Sequence, residues 1–201
     1  MRLFVAVWPP PAVVRAVEVA LATVRSASSP AAGSQGAPSP RDADLRWTAS
    51  TRWHVTLRFL GEAGLDEAGP AFRSVGRSVP GPVEAVVGPA TGSFGRRVLH
   101  VPVAGLDGLA AAVLAATAPV GCPPDDRPFA GHLTLARARA RGGVDLSAWC
   151  GLPVSGSWTV GELTLVASAT GPEGSRYDLV DRLPLAWSDE GPCSNTRSQL
   201  H

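Results

Sequence analysis

Two short segments of this chain repeat each other. Trp53-His54-Val55-Thr56-Leu57 and Gly131-His132-Leu133-Thr134-Leu135 both carry His-x-Thr-Leu, with the histidines 78 residues apart. A histidine titrates near pH 6.5, so at physiological pH one ring of a pair can be neutral while the other is protonated. Concerted general base and general acid work needs that combination, each member contributing about 10²–10⁴-fold. A threonine hydroxyl beside each ring can donate to an anion's oxygens and stabilise charge as it builds. A phosphodiester or cyclic phosphate suits such a set: one imidazole takes a proton from water, the other gives one to the departing sugar oxygen.

One histidine or one threonine in a strand is ordinary, since threonine is a good strand former. Recurrence of the pair with the same neighbours argues for an internal duplication. Successive side chains on a strand point to opposite faces. His54 and Thr56 therefore share one face, with Val55, Leu57 and Phe59 on the other, and His132 and Thr134 share a face opposite Leu133 and Leu135. By the same parity Arg58 joins His54 and can reach a phosphate, whereas Arg137 falls on the face away from His132. Arg127, just before the second strand, is a candidate for a phosphate or base contact. Phe129 is a candidate core ring or base-stacking ring, and His100 and His201 are given no role.

The elements that must hold these groups follow from pattern. Leu3–Trp8 is expected as a buried strand ended by Pro9-Pro10-Pro11, and residues 11–26 as a helix with Val13, Val14, Val17, Leu21 and Val24 at helical spacing. Residues 27–40 are rich in Ala, Ser, Pro and Gly and read as a flexible insertion. Strands are expected at Leu45–Thr48 and Trp53–Leu60, and a helix over 65–79 with a start blurred by Gly69-Pro70. The second half repeats the order, with strands at Val83–Val87 and Arg97–Val103, a helix at Leu106–Ala118 and a strand at His132–Ala138. A short helical turn at 145–150 and strands at Trp158–Ala167 and Tyr177–Leu185 follow. The polar tail after 186, residues 187–201, is expected to be disordered. The expected fold class is α+β, with two similar lobes.

Composition narrows the function. With 201 residues and 45% apolar content the chain can bury a core, and its net charge of +1 excludes a global pull on polyanions. All eighteen basic residues are arginine, so no lysine nucleophile or Schiff base is available. Cys122, Cys150 and Cys193 have neither disulfide nor zinc spacing. The apolar start is too short for a signal peptide or a membrane span, so a cytoplasmic monomer with no membrane contact is expected.

With these motifs the sequence resembles the 2H phosphoesterase superfamily, and within it the RNA 2′,3′-cyclic phosphodiesterase branch, also called 2′-5′ RNA ligase. The resemblance rests on Arg2-Leu3-Phe4-Val5-Ala6-Val7 followed by prolines, on His54-Val-Thr-Leu-Arg-Phe-Leu-Gly-Glu62, and on Arg127-Pro-Phe-Ala-Gly-His-Leu-Thr-Leu-Ala-Arg137. It spans residues 1–186. It implies a single bilobal α+β domain with a cleft between pseudo-symmetric lobes, no metal and no cofactor. The implied activity is hydrolysis of RNA 2′,3′-cyclic phosphate ends to 2′-phosphates, alongside reversible 2′-5′ ligation. It also implies His54 as the proton donor to the leaving 3′ oxygen, His132 as the base toward water, Thr56 and Thr134 on the phosphate, and Arg137 within the motif. Small cyclic nucleotides or 2′-5′ oligonucleotides as substrates, and a non-catalytic module binding RNA ends, are the alternatives. Gly131, where relatives often carry proline, is expected to loosen the approach to His132.

Overall fold

The computed structural model describes residues 1–27, 44–124, 126–171 and 174–186. Most of the expected 27–40 insertion and the 187–201 tail lie outside these residues. Strand β1 (Arg2–Val7) is apolar on both faces because both are covered: Leu3, Val5 and Val7 enter the main core, while Phe4 and Ala6 join Val166, Trp8 and Tyr177 in a second cluster. Helix α1 (Pro11–Ala27) opens on Pro11, where a missing N–H costs nothing, and buries Val13, Val17, Ala20 and Leu21.

After β2 (Leu45–Trp47) come β3 (Val55–Glu62) and helix α2 (Leu65–Ser74), which has Asp66 and Glu67 in its first turn. Pro70 lies inside this helix, not at its start, and a 3₁₀ turn at Val75–Arg77 follows. The chain continues through β4 (Val83–Val87), β5 (Gly92–Phe94), β6 (Val98–Ala104), helix α3 (Asp107–Thr117) and β7 (His132–Ala138). Strands β8 (Gly156–Val160), β9 (Glu162–Gly171) and β10 (Gly174–Pro184) complete it. The single strand expected over Trp158–Ala167 is in fact two. It breaks at Gly161, where the chain passes from one end of the sheet to the other: β8 pairs with β4, and β9 with β1 and β10.

The sheet is antiparallel, in the order β10-β9-β1-β3-β7-β6-β4-β8, with β2 on β7 and β5 on β6. This is the α+β, two-lobed arrangement expected, curled into a half-barrel. The two arms meet at β3 and β7, which share one ladder pair, Val55 with Leu133. The helices cross this seam. Helix α3, which leaves the β6 arm, packs on β3 of the other, and α1, which leaves β1, packs on β8. No helix among the described residues is long and apolar enough to cross a membrane.

Candidate active site

The single pair Val55–Leu133 sets the geometry of the site. In an antiparallel ladder, one step to either side of that pair brings His54 level with Thr134 and Thr56 level with His132. All four side chains then lie on the face opposite buried Val55 and Leu133. Directly opposed side chains are about 5 Å apart and diagonal ones roughly 7–8 Å, so the two imidazoles sit diagonally with room for a small anion between them.

Each imidazole is held in the same way. His54 Nδ1 donates to the carbonyl of Arg52 and His132 Nδ1 to that of Ala130, both at 2.7 Å. A carbonyl only accepts, so these contacts place the proton on Nδ1 and leave Nε2 to accept a proton when the ring is neutral. Burial lowers the pKa of both rings. The backbone hydrogen bonds oppose this, while Arg137 lowers both further and His132 also lowers His54. The structure therefore brings His54, His132, Thr56, Thr134 and the charge of Arg137 together.

Strand parity fails for both arginines, and for one reason. Across β1–β3, Ala6 pairs with Thr56 and Val5 with Arg58, so Leu57 is an extra residue in β3. Across β6–β7, His100 pairs with Thr134 and Leu99 with Ala136, so Leu135 is an extra residue in β7. Each copy thus carries a β-bulge at the leucine of its motif, which reverses the side-chain alternation beyond it. Arg58 is turned into the interior, 6% exposed. There it donates to the carbonyls of Leu114, Val120 and Cys122 and to Thr117 Oγ1. It ties the end of α3 to β3 and is not a phosphate ligand. Phe59, expected in the core, emerges on the histidine face at 66% exposure, against Phe4. Arg137 is turned the other way, out of the expected far face and toward the histidines. Arg127 is exposed in the loop between α3 and β7.

Gly131 does not loosen the second motif. Its carbonyl accepts from Val103 N–H at 2.8 Å, and a Cβ at this position would collide with the Val103 oxygen. Glycine here permits a close backbone approach just before His132. Phe129 packs against the core from a half-buried position.

No family model and no curated protein matches the sequence. Solved structures do. Protein TT0787 of Thermus thermophilus superposes with a TM-score of 0.69 at 24% identity, over 94% of this chain and 100% of its own. A structure described as a phosphoesterase gives 0.68 at 27%, over 92% and 98%. Escherichia coli LigT, solved with 3′-AMP, gives 0.66 at 26%, over 92% and 97%. These structural neighbours are of the 2H phosphoesterase superfamily, and the chain shares their fold over more than nine-tenths of its length.

The two histidines have different neighbours, which the sequence did not announce. His54 is stacked on Phe4 (centroids 5.0 Å apart, 27° between planes) and flanked by Trp8 at 5.1 Å and Tyr177 at 5.1 Å. Trp8 is fixed by donating from Nε1 to Thr164 Oγ1, which itself donates to the Ala6 carbonyl. His132 instead meets Phe94 edge-on at 4.8 Å and His100 at 5.6 Å. His100 was given no role from sequence, yet its pairing with Thr134 puts it in the site. Burial, then the nearby His132, hold its pKa down to about 4, although the Val98 carbonyl favours the charged form. That carbonyl makes no well-formed hydrogen bond with His100 Nδ1. The only signal in the sequence was a histidine in an otherwise apolar strand. A separate cleft between α1 and the Trp47–Trp53 segment, lined by Glu18, Arg52 and Trp53, lies off this set of residues.

Proposed function

We propose that this phosphoesterase hydrolyses 2′,3′-cyclic phosphate ends of RNA to 2′-phosphates without a metal. The observation that carries the reading is the diagonal pair of imidazoles, each held through Nδ1 with a threonine beside it. His132 Nε2 takes a proton from water as the water oxygen bonds to phosphorus. The bond from phosphorus to the 3′ oxygen breaks, and protonated His54 returns a proton to that oxygen. Thr56 and Thr134 hydroxyls donate to the non-bridging oxygens, and Arg137 adds positive charge as negative charge develops. Burial lowers the pKa of both rings, so the assignment of His54 as the acid and His132 as the base rests on the family resemblance.

LigT's capture of 3′-AMP supports a nucleotide as the class of ligand. The same step with a 5′-hydroxyl in place of water forms the bond from phosphorus to the 5′ oxygen as the 3′ oxygen leaves, which is 2′-5′ ligation. A net charge of +1 favours recognition of an end over a long tract. The test compares an oligonucleotide ending in a 2′,3′-cyclic phosphate with the corresponding mononucleotide, both in excess chelator. A 2′-phosphate product and faster turnover of the oligonucleotide are expected. A 3′-phosphate product or loss of turnover on chelation would overturn the mechanism, and preference for the mononucleotide would overturn the RNA assignment.

A further inference from the structure

Beside His132 the β5–β6 hairpin presents two rings that the chemistry above does not use. Phe94 and His100 lie almost parallel, with centroids 4.0 Å apart and 8° between planes. His100 is buried, at 8% exposure, whereas Phe94 is 43% exposed. The hairpin register fixes the pair. Gly92 opposes His100 and Phe94 opposes Val98, so Phe94 and His100 share a face. Gly92 lies directly beneath the imidazole: a Cβ there would stand in van der Waals contact with His100 Cε1, at 3.4 Å.

We infer that the Phe94–His100 stack is a platform for the nucleobase of the substrate, and that it sets a preference for nucleosides over bare sugar phosphates. This deepens the reading of the cleft as a nucleotide phosphoesterase site and rests on it. A nucleotide whose phosphate lies between His54 and His132 has its base one ribose away. Two strand spacings, about 10 Å, separate β7 from β5. Phe94 closes that gap, its ring 4.8 Å from that of His132 at 82° between planes and 43% exposed. Every base offers a π-face, so a flat, rigid ring at this distance binds bases with little regard to identity. His100 serves as the underlying ring because it stays uncharged. A charged ring there would repel protonated His132, 5.6 Å away.

The test is titration calorimetry of the full-length protein with adenosine 2′-monophosphate and with ribose 2-phosphate lacking a base. Wild type is expected to prefer the adenosine ligand by about tenfold or more. Phe94→Leu, which keeps apolar volume without the π-face, and His100→Ala should each lose most of that preference, while His100→Phe keeps it. No preference in wild type, or a preference unchanged in Phe94→Leu, would overturn the proposal. If the preference depends on Phe94 but wild type does not hydrolyse cyclic phosphates, the platform stands and the hydrolytic reading falls. If hydrolysis proceeds with a preference indifferent to Phe94, the reverse holds.

Discussion

A histidine pair is useful only if its protons are available at working pH, and here both members are pushed toward the neutral form by burial and by Arg137. The sign of the pH dependence follows. With both native pKa values below the ordinary 6.5, the free protein at pH 8 holds two neutral rings and no acid. As pH falls, the singly protonated state fills, and at still lower pH the second ring charges and the base is lost. A plot of kcat/KM against pH should therefore be a bell with its maximum on the acid side of 6.5, and a maximum above pH 7.5 would contradict the assignment. Arg137→Met removes the shared positive neighbour. Histidine resonances followed by NMR should then show both pKa values moving up, with KM for the cyclic phosphate rising about tenfold, the scale of one lost charge-assisted hydrogen bond. Unchanged histidine pKa values would place Arg137 away from the site.

At the level of elements, the motif leucines explain why part of the site was legible in the sequence and part was not. His54, Thr56, His132 and Thr134 precede the bulges, so strict alternation places them correctly. Arg58, Phe59 and Arg137 follow the bulges, and alternation assigns each to the wrong face. A bulge is a property of two paired strands, and β1 and β6 supply the partners, so no local pattern in β3 or β7 reveals it. The break at Gly161 was hidden for a related reason: β8 and β9 are each regular, and only their partners show that they belong to different ends of the sheet. Arg58 now makes a prediction of its own. Its guanidinium satisfies carbonyls at the end of α3, so Arg58→Ala leaves buried acceptors without donors and opens a cavity. Chemical denaturation should show a loss of about 3 kcal/mol or more, with KM for the residual folded protein unchanged. A raised KM with intact stability would return Arg58 to the phosphate.

Across the whole molecule, two arms share one core but touch edge to edge at a single strand pair, and crossing helices lock them together. The buried third histidine couples this assembly to acid. His100 has a native pKa of about 4 against 6.5 in an unfolded chain. Between those values the unfolded state holds the extra proton, so stability falls as pH falls through the window and levels off below it. The contribution is about 3 kcal/mol when complete, and His100→Phe should flatten the fall in Tm between pH 6.5 and 4. A variant with the same acid sensitivity as wild type would place the effect elsewhere. The most direct measurement of the central claim is hydrolysis of an oligonucleotide 2′,3′-cyclic phosphate in excess chelator by wild type, His54→Ala, His132→Ala and the double variant. If the diagonal imidazoles act as one unit, each single variant loses about 10²–10⁴-fold in kcat and the double variant loses little more than either single one. Near wild-type turnover by either single variant would contradict the account, leaving the repeated motif as scaffold only.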